Sequence, residues 1–171
     1  LAKWTQDESG KLIIVPDAVV ELPDGNLNKN GTVTYTYTLK DGLKWSDGKD
    51  VTAADFEFAW NRAASVALAA DYNYMFDVVK GYAEMWDTND AEEFVNPDAK
   101  LAVEATDAKT LVVTLNNAVA YWNELLAFPT YYPVHSSAYN NEAWATEPST
   151  YICNGPYTIS SWEHNSVITL K

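Results

Sequence analysis

Twenty-four carboxylates, two histidines and one cysteine are the groups in this 171-residue sequence that could move a proton, attack a carbonyl or hold a metal. A glycosidase-like acid pair needs two carboxylates at a fixed separation, and sequence alone leaves every such pair open. Cys153 would need a nearby base to act as a thiolate, and its sequence neighbours supply none. Beside Ile152 and close to Pro156 it reads as an ordinary buried thiol, and as a lone cysteine it can form neither an intrachain disulfide nor a thiolate cluster. His135 and His164 lack metal-ligand spacing. The densest acidic run, residues 87–93 (DTNDAEE), lacks the glycine that gives a calcium loop its sharp turn, so a solvated helix end or loop is expected. There is no Gly-rich phosphate loop and no G-x-S-x-G elbow. These residues give no support to an enzyme, a metal site or a cofactor.

The remaining conspicuous chemistry is aromatic. Seven Trp and eleven Tyr combine large apolar bodies with single polar handles, which suits both cores and wet binding clefts. A net charge of −13 repels polyphosphates, so nucleic acid and anionic membrane surfaces are poor partners. With 47% hydrophobic residues the chain can bury a core, and it contains no apolar run near the length of a membrane-spanning helix. No signal peptide opens the sequence, and Leu1 is not an initiator Met, so a mature form or an excised piece is expected.

The elements that would position these aromatics are written locally. Asp-Gly, Asn-Gly and Ser-Gly pairs crowd the first 48 residues and predict tight turns between short strands. Residues 32–39 (TVTYTYTL) alternate Thr with Val33, Tyr35, Tyr37 and Leu39, the signature of a strand with one buried face. A weaker strand covers residues 13–15. Thr52 and Asp55 form a close variant of a capping box, followed by Phe56, Ala59, Trp60 and Ala63 at helical spacing, so an amphipathic helix is expected over residues 53–64. Burial statistics make Trp45 and Trp60 packing residues. Further helix, broken near Gly81, is expected over 73–85, and a hairpin over 101–106 and 110–115. A short helix over 120–126 should turn Tyr121 and Leu125 inward, with Trp122 as a further inward candidate. Pro129 and Pro133 bracket a stiff aromatic loop, a short helix is expected over 137–144, and strands over 157–162 and 167–170 close the chain.

Taken together, residues 34–62 (TYTYTLKDGLKWSDGKDVTAADFEFAWNR) resemble the signature region of the extracytoplasmic oligopeptide- and dipeptide-binding proteins that feed ABC importers (family 5). Residues 13–21 (IIVPDAVVE), 110–134 (TLVVTLNNAVAYWNELLAFPTYYPV), 152–162 (ICNGPYTISSW) and 167–171 (VITLK) resemble further segments of that family, in the same order. Val19 departs from the family's Pro-x-Leu-Ala wording, and the Asn154-Gly155 form sits nearer the oligopeptide-binding branch. Family members are several times longer, so the resemblance implies a fragment.

The implied fold class is α+β: the small mixed α/β subdomain of the first lobe of a two-lobed, periplasmic-binding-protein-like fold. The small subdomain would cover about residues 32–126, and part of a sheet-bearing subdomain about 1–31 and 127–171. The resemblance implies an extracytoplasmic receptor, periplasmic or a cell-surface lipoprotein of a bacterium, that closes two lobes on an oligopeptide and presents it to an ABC permease. The second lobe of the same protein, which carries most of the grip on the peptide's amino terminus, would be missing. Residues 70–74 (ADYNY) resemble the family's Ser-Pro-Tyr-x-x-Tyr turn, with one residue fewer between the tyrosines; Tyr72 is then the candidate peptide contact. Tyr131 and Asn154 are further candidates. A carbohydrate-binding module that stacks sugars on exposed aromatics is the alternative, although the capped helix has no place in an all-β sandwich.

Overall fold

The computed structural model describes residues 1–139, 141 and 143–171. Strands β1 (Ala2–Gln6) and β2 (Leu12–Pro16) form an antiparallel hairpin. Its turn is set by Asp7, whose carboxylate accepts the amides of Ser9 at 2.9 Å and Lys11 at 3.0 Å. β3 (Asn26–Leu27) is a short edge on β4 (Val33–Thr38). Along β4 the Thr/apolar alternation places Val33 and Tyr37 in the core, with Leu39 following them inward. The expected helix is α1 (Ala53–Ala64), and its buried stripe includes Phe56, Ala59 and Trp60.

The start of α1 is held from the Asp55 side. The Asp55 carboxylate reaches back to the Thr52 amide at 2.7 Å, and the Asp55 amide donates to the Thr52 carbonyl at 3.1 Å. A carboxylate there also faces the positive end of the helix dipole. Trp45 plugs the corner beside it, buried, with its indole N–H 3.4 Å from the same carboxylate. Both Trp45 and Trp60 are packing residues, as expected.

Chain order continues with α2 (Tyr82–Met85), β5 (Val103–Ala105), β6 (Thr110–Leu115), α3 (Trp122–Leu126), β7 (Ile159–Glu163) and β8 (Val167–Leu170). The central antiparallel sheet runs β3-β4-β6-β5, with β4 and β6 in register from Val33↔Leu115 to Thr38↔Thr110. On β6 the period-two pattern buries Leu111, Val113 and Leu115, and α1 lies across β5 and β6. β7 and β8 form a separate hairpin. Among the described residues the chain is thus α+β, with helices on a small mixed architecture of several sheets.

Three local expectations are corrected. The stretch expected to be helical over 73–85 is a 3₁₀ turn at Asn73–Phe76, a link of turns carrying one β-bridge, and then α2. The link pairs with the end of β6: Val79 bridges Leu115, and Lys80 donates to the Thr114 carbonyl at 3.0 Å. β-Branched Val78 and Val79 suit that pairing, and Gly81 ends it at φ 98°, where a Cβ would lie 2.2 Å from the Lys100 carbonyl oxygen. In α3 the inward residues are Trp122 and Leu126, while Tyr121 is exposed and Leu125 only partly buried. Positions four apart share a helix face, and burial of Trp122 lets its indole donate to the Tyr37 hydroxyl at 2.6 Å. The helix expected over 137–144 is a 3₁₀ turn at Ser136–Ala138; residues 140 and 142 lie outside the described residues.

Candidate functional site

The middle of the core is a cluster of four aromatics. Tyr131 meets Trp60 edge-on at 4.9 Å and Trp122 at 5.6 Å, and lies 4.5 Å from Phe76. Tyr131 is fully buried, and its hydroxyl donates to the Met75 carbonyl at 2.6 Å. Its backbone carbonyl accepts the Trp60 indole at 2.9 Å. Burial, with the nearby Asp77 charge and Tyr121, drives the Tyr131 phenol far above its ordinary pKa, so it stays a donor. Tyr131 has no exposed surface to offer a ligand. Its hydroxyl instead supports the 3₁₀ turn that follows Tyr72.

Tyr72 is placed by that turn. The segment before it is fastened by Ser65, whose hydroxyl donates to the Arg62 carbonyl at 2.8 Å and accepts the Leu68 amide at 3.2 Å. Asn73 donates to the Ala70 carbonyl at 2.6 Å and accepts the Tyr82 hydroxyl at 2.5 Å. The Tyr72 carbonyl accepts the Met75 amide at 3.1 Å. With the backbone so fixed, the Tyr72 ring stands half-exposed, 5.5 Å from Phe128 and 6.1 Å from Tyr74. The result is an aromatic platform over a buried aromatic core, the arrangement expected where a ring must meet a ligand without moving.

Asn154 is exposed, on the loop before β7. It lies between an open groove of about 850 Å³, lined by Phe56, Tyr132, Tyr157 and Leu170 among others, and a smaller one of about 290 Å³ that includes Arg62, Pro129 and Trp144. Its loop is tied to the corner at Trp45: the Ser46 amide donates to the Cys153 carbonyl at 2.7 Å, and the Cys153 amide donates to the Ser46 hydroxyl at 3.2 Å. Cys153 is partly exposed on this loop rather than buried, its thiol 3.3 Å from the Tyr157 carbonyl. The segment 128–132 joins the two regions, since Phe128 packs against Tyr72 and Tyr132 lines the larger groove. Tyr72 and Tyr131 are linked through Met75, whose amide donates to the Tyr72 carbonyl and whose carbonyl accepts the Tyr131 hydroxyl; no hydrogen bond among the described residues joins Asn154 to either.

One polar group in this region is purely architectural. His135 is buried, meets Trp45 edge-on at 5.3 Å, and accepts the Ser137 amide on Nδ1 at 3.1 Å. That bond leaves the proton on Nε2, which faces the Asp47 carboxylate at 3.4 Å. Lys49 beside Asp47 holds that carboxyl below its usual range. The Asp47-Gly48 turn is so joined to residues 135–137. The acidic run 87–93 is a loop, in which the Asn89 side chain accepts the amides of Ala91 and Glu93. Among the described residues no group of three or more His, Cys, Asp or Glu is arranged to hold a metal.

Residues 25–171 match the model of the bacterial extracellular solute-binding proteins, family 5. The chain belongs to that family. Among its family 5 relatives are the oligopeptide-binding protein OppA of Bacillus subtilis, 41% identical over 140 residues, and the periplasmic oligopeptide-binding protein OppA of Escherichia coli, 35% identical over 146. These alignments cover 81% and 84% of this chain but 25% and 26% of the relatives, so the chain spans about a quarter of their length. The substrate-binding domain of an oligopeptide ABC transporter from Bacillus anthracis superposes on 99% of the chain with a TM-score of 0.77 at 32% identity, using 31% of that structure. OppA of Listeria monocytogenes bound to peptide gives a TM-score of 0.73 at 31% identity over 94% of the chain. Family 5 members are binding proteins, and the fold class read from the sequence is the one observed. An all-β sugar-binding module is ruled out by this family and by α1; nothing favours the carbohydrate alternative.

Sequence reasoning missed Phe128 and Tyr74 as partners of Tyr72, and Ser46 as the anchor of the loop carrying Asn154. The Pro129–Pro133 bracket was the available signal for Phe128. Ser46 and Cys153 are 107 residues apart, and no local pattern connects them.

Proposed function

We propose that this chain is part of the first lobe of an extracytoplasmic peptide receptor that serves an ABC permease. Residues of about 32–126 form its small subdomain, and about 1–31 with 127–171 contribute to a sheet-bearing subdomain. The remaining polypeptide of a family-length protein, including a second lobe, closes on the ligand from the other side. The work is holding a peptide by geometry, with no bond made or broken. Tyr72 is the contact, offering its hydroxyl to peptide backbone, and Asn154 is a second contact at the rim of the larger groove. Tyr131 acts through Tyr72, by holding the turn that carries it.

The observation that carries this reading is the half-exposed Tyr72 ring, tilted against Phe128 above a buried aromatic core, in a chain of this family. A roomy wet surface of this kind accepts many side chains while backbone hydrogen bonds fix orientation. Localisation outside the cytoplasmic membrane, periplasmic or as a surface lipoprotein, follows from the same reading.

Photo-cross-linking tests it. A benzoylphenylalanine at position 72, exposed to mixed tripeptides and read by mass spectrometry, should yield peptide adducts. The same group at position 27, more exposed and on the β3 edge, should yield far fewer. Equal labelling at both positions contradicts the assignment of Tyr72.

A further inference from the structure

Two asparagines in the chain are followed directly by glycine, in Asn30-Gly31 and Asn154-Gly155. In this dipeptide the second nitrogen meets least crowding on its way to the side-chain carbonyl, because glycine has no Cβ. All four residues are exposed, so exposure does not separate the pairs. Hydrogen bonding does. The Asn30 side-chain oxygen accepts the Thr32 hydroxyl at 2.8 Å and the Thr32 amide at 3.2 Å, while the Gly31 amide donates to the Asn28 carbonyl at 3.0 Å. Nucleophile and electrophile are thereby both engaged in the turn between β3 and β4. Among the described residues, neither the Asn154 side chain nor the Gly155 amide has a hydrogen-bond partner, and a Cβ on Gly155 would meet nothing within 4 Å. This pair lies in irregular chain before β7, and Pro156 after it has no N–H with which to close a turn.

We propose that Asn154 is a self-modification site, at which the chain deamidates through a cyclic imide, and that Asn30 is spared by its turn. The Gly155 backbone nitrogen attacks the Asn154 Cγ. The new N–Cγ bond forms as the Cγ–Nδ2 bond breaks, and the departing NH₂ group takes the proton shed by the Gly155 amide and leaves as ammonia. Water then adds to one of the imide carbonyls and opens the ring to Asp or to isoaspartate, so no oxidant, reductant or enzyme is needed. Each neutral hydrogen bond that must open first lowers the reactive population by about fivefold, so those around Asn30 hold that pair back by about tenfold or more. Either product puts a carboxylate at the rim of the larger groove in place of a neutral amide. Isoaspartate also adds a carbon to the main chain between Cys153, which Ser46 holds through its carbonyl and amide, and Tyr157, whose carbonyl lies 3.3 Å from the Cys153 thiol. The loop is then too long for its anchors, and a peptide contact at Asn154 is lost. That last consequence rests on the peptide reading above; the reaction does not.

The test incubates the 171-residue chain at mildly alkaline pH, folded and in concentrated urea, with samples taken over days. Chymotryptic peptides 28–35 and 152–157 report the two pairs by the mass gained when an amide becomes an acid, and isoaspartyl methyltransferase labels the isoaspartate share. In the folded chain we expect Asn154 to convert faster than Asn30 by about tenfold or more, with isoaspartate among its products, and in urea the two rates should converge. Gly155→Ala should slow the reaction at Asn154 sharply, and Thr32→Val, which removes one bond to the Asn30 oxygen, should speed it at Asn30. Equal rates in the folded chain, or a gap that persists in urea, overturn the claim that the structure selects Asn154. An Asn154 left intact while a free peptide of residues 152–157 converts overturns the modification site itself. These readouts contain no ligand, so a failed reaction leaves the peptide reading standing, and a failed cross-link at Tyr72 leaves the reaction standing.

Discussion

Removing one oxygen atom from Tyr131 separates the two roles that sequence and structure give that residue. In Tyr131→Phe the ring stays in its aromatic cluster, so packing against Trp60, Phe76 and Trp122 is unchanged, while the 2.6 Å hydrogen bond to the Met75 carbonyl is lost. A neutral hydrogen bond is worth about 1 kcal/mol net, and a buried carbonyl left without its donor raises the loss to about 1–3 kcal/mol. With a urea m value of about 2 kcal/mol per molar, the unfolding midpoint should fall by about 0.5–1.5 M. Because Met75 belongs to the turn that carries Tyr72, the ring resonances of Tyr72 should shift as well, whereas those of Tyr157, exposed just before β7, should not. Urea denaturation followed by Trp fluorescence, together with an aromatic NMR spectrum, reads both effects. A midpoint within about 0.2 M of the parent, or an unchanged Tyr72 ring, would refute the claim that Tyr131 supports Tyr72 from below.

Gly81→Ala forces a Cβ to within 2.2 Å of the Lys100 carbonyl at a φ of 98°, and should destabilise by about 2 kcal/mol or more; a loss under about 0.5 kcal/mol in urea denaturation counts against the close approach. Trp122→Phe removes the donor to the Tyr37 hydroxyl and some core volume, and should lower stability by about 2–3 kcal/mol, against almost no change for Tyr121→Phe, in the same assay. Burial holds the Tyr37 and Tyr131 phenols well above the ordinary value of 10.0. The folded state keeps these protons after the unfolded chain has lost them, so their contribution is whole below pH 10 and falls as pH rises through the folded values. The urea midpoint should therefore drop above pH 10, and absorbance titration should show two of the eleven tyrosines ionising only with unfolding; a fully reversible titration of all eleven with the fold intact contradicts this.

What could be read in advance was whatever is encoded locally. The strand over residues 32–39, the helix over 53–64 and the hairpin over 101–115 each repeat an apolar period against polar neighbours, and all three formed close to the expected bounds. The misreadings occurred where tertiary pairing outweighed propensity. Residues 77–81 became a link to β6 because Val79 found Leu115, and α3 turned on Trp122 because its indole found Tyr37, 85 residues away. The candidate site was legible only in part. Tyr72 could be named from its resemblance to a family turn, but its setting could not, since Phe128 approaches from a distant segment. Tyr131 has the residue type of a binding tyrosine and the surroundings of a core one, a distinction made by burial, which one sequence does not display.

The central claim is that this surface holds peptide weakly and by geometry. A micromolar site corresponds to about −8 kcal/mol, and a chain contributing about half of such contacts should retain an affinity near millimolar or weaker. Titrating the chain with mixed peptides, and separately with cello- and xylo-oligosaccharides, while following Trp and Tyr signals measures this directly. The account predicts a weak, non-saturating response to peptides centred on Tyr72 and none to the sugars; tight, saturable binding of either ligand by this chain alone would contradict it.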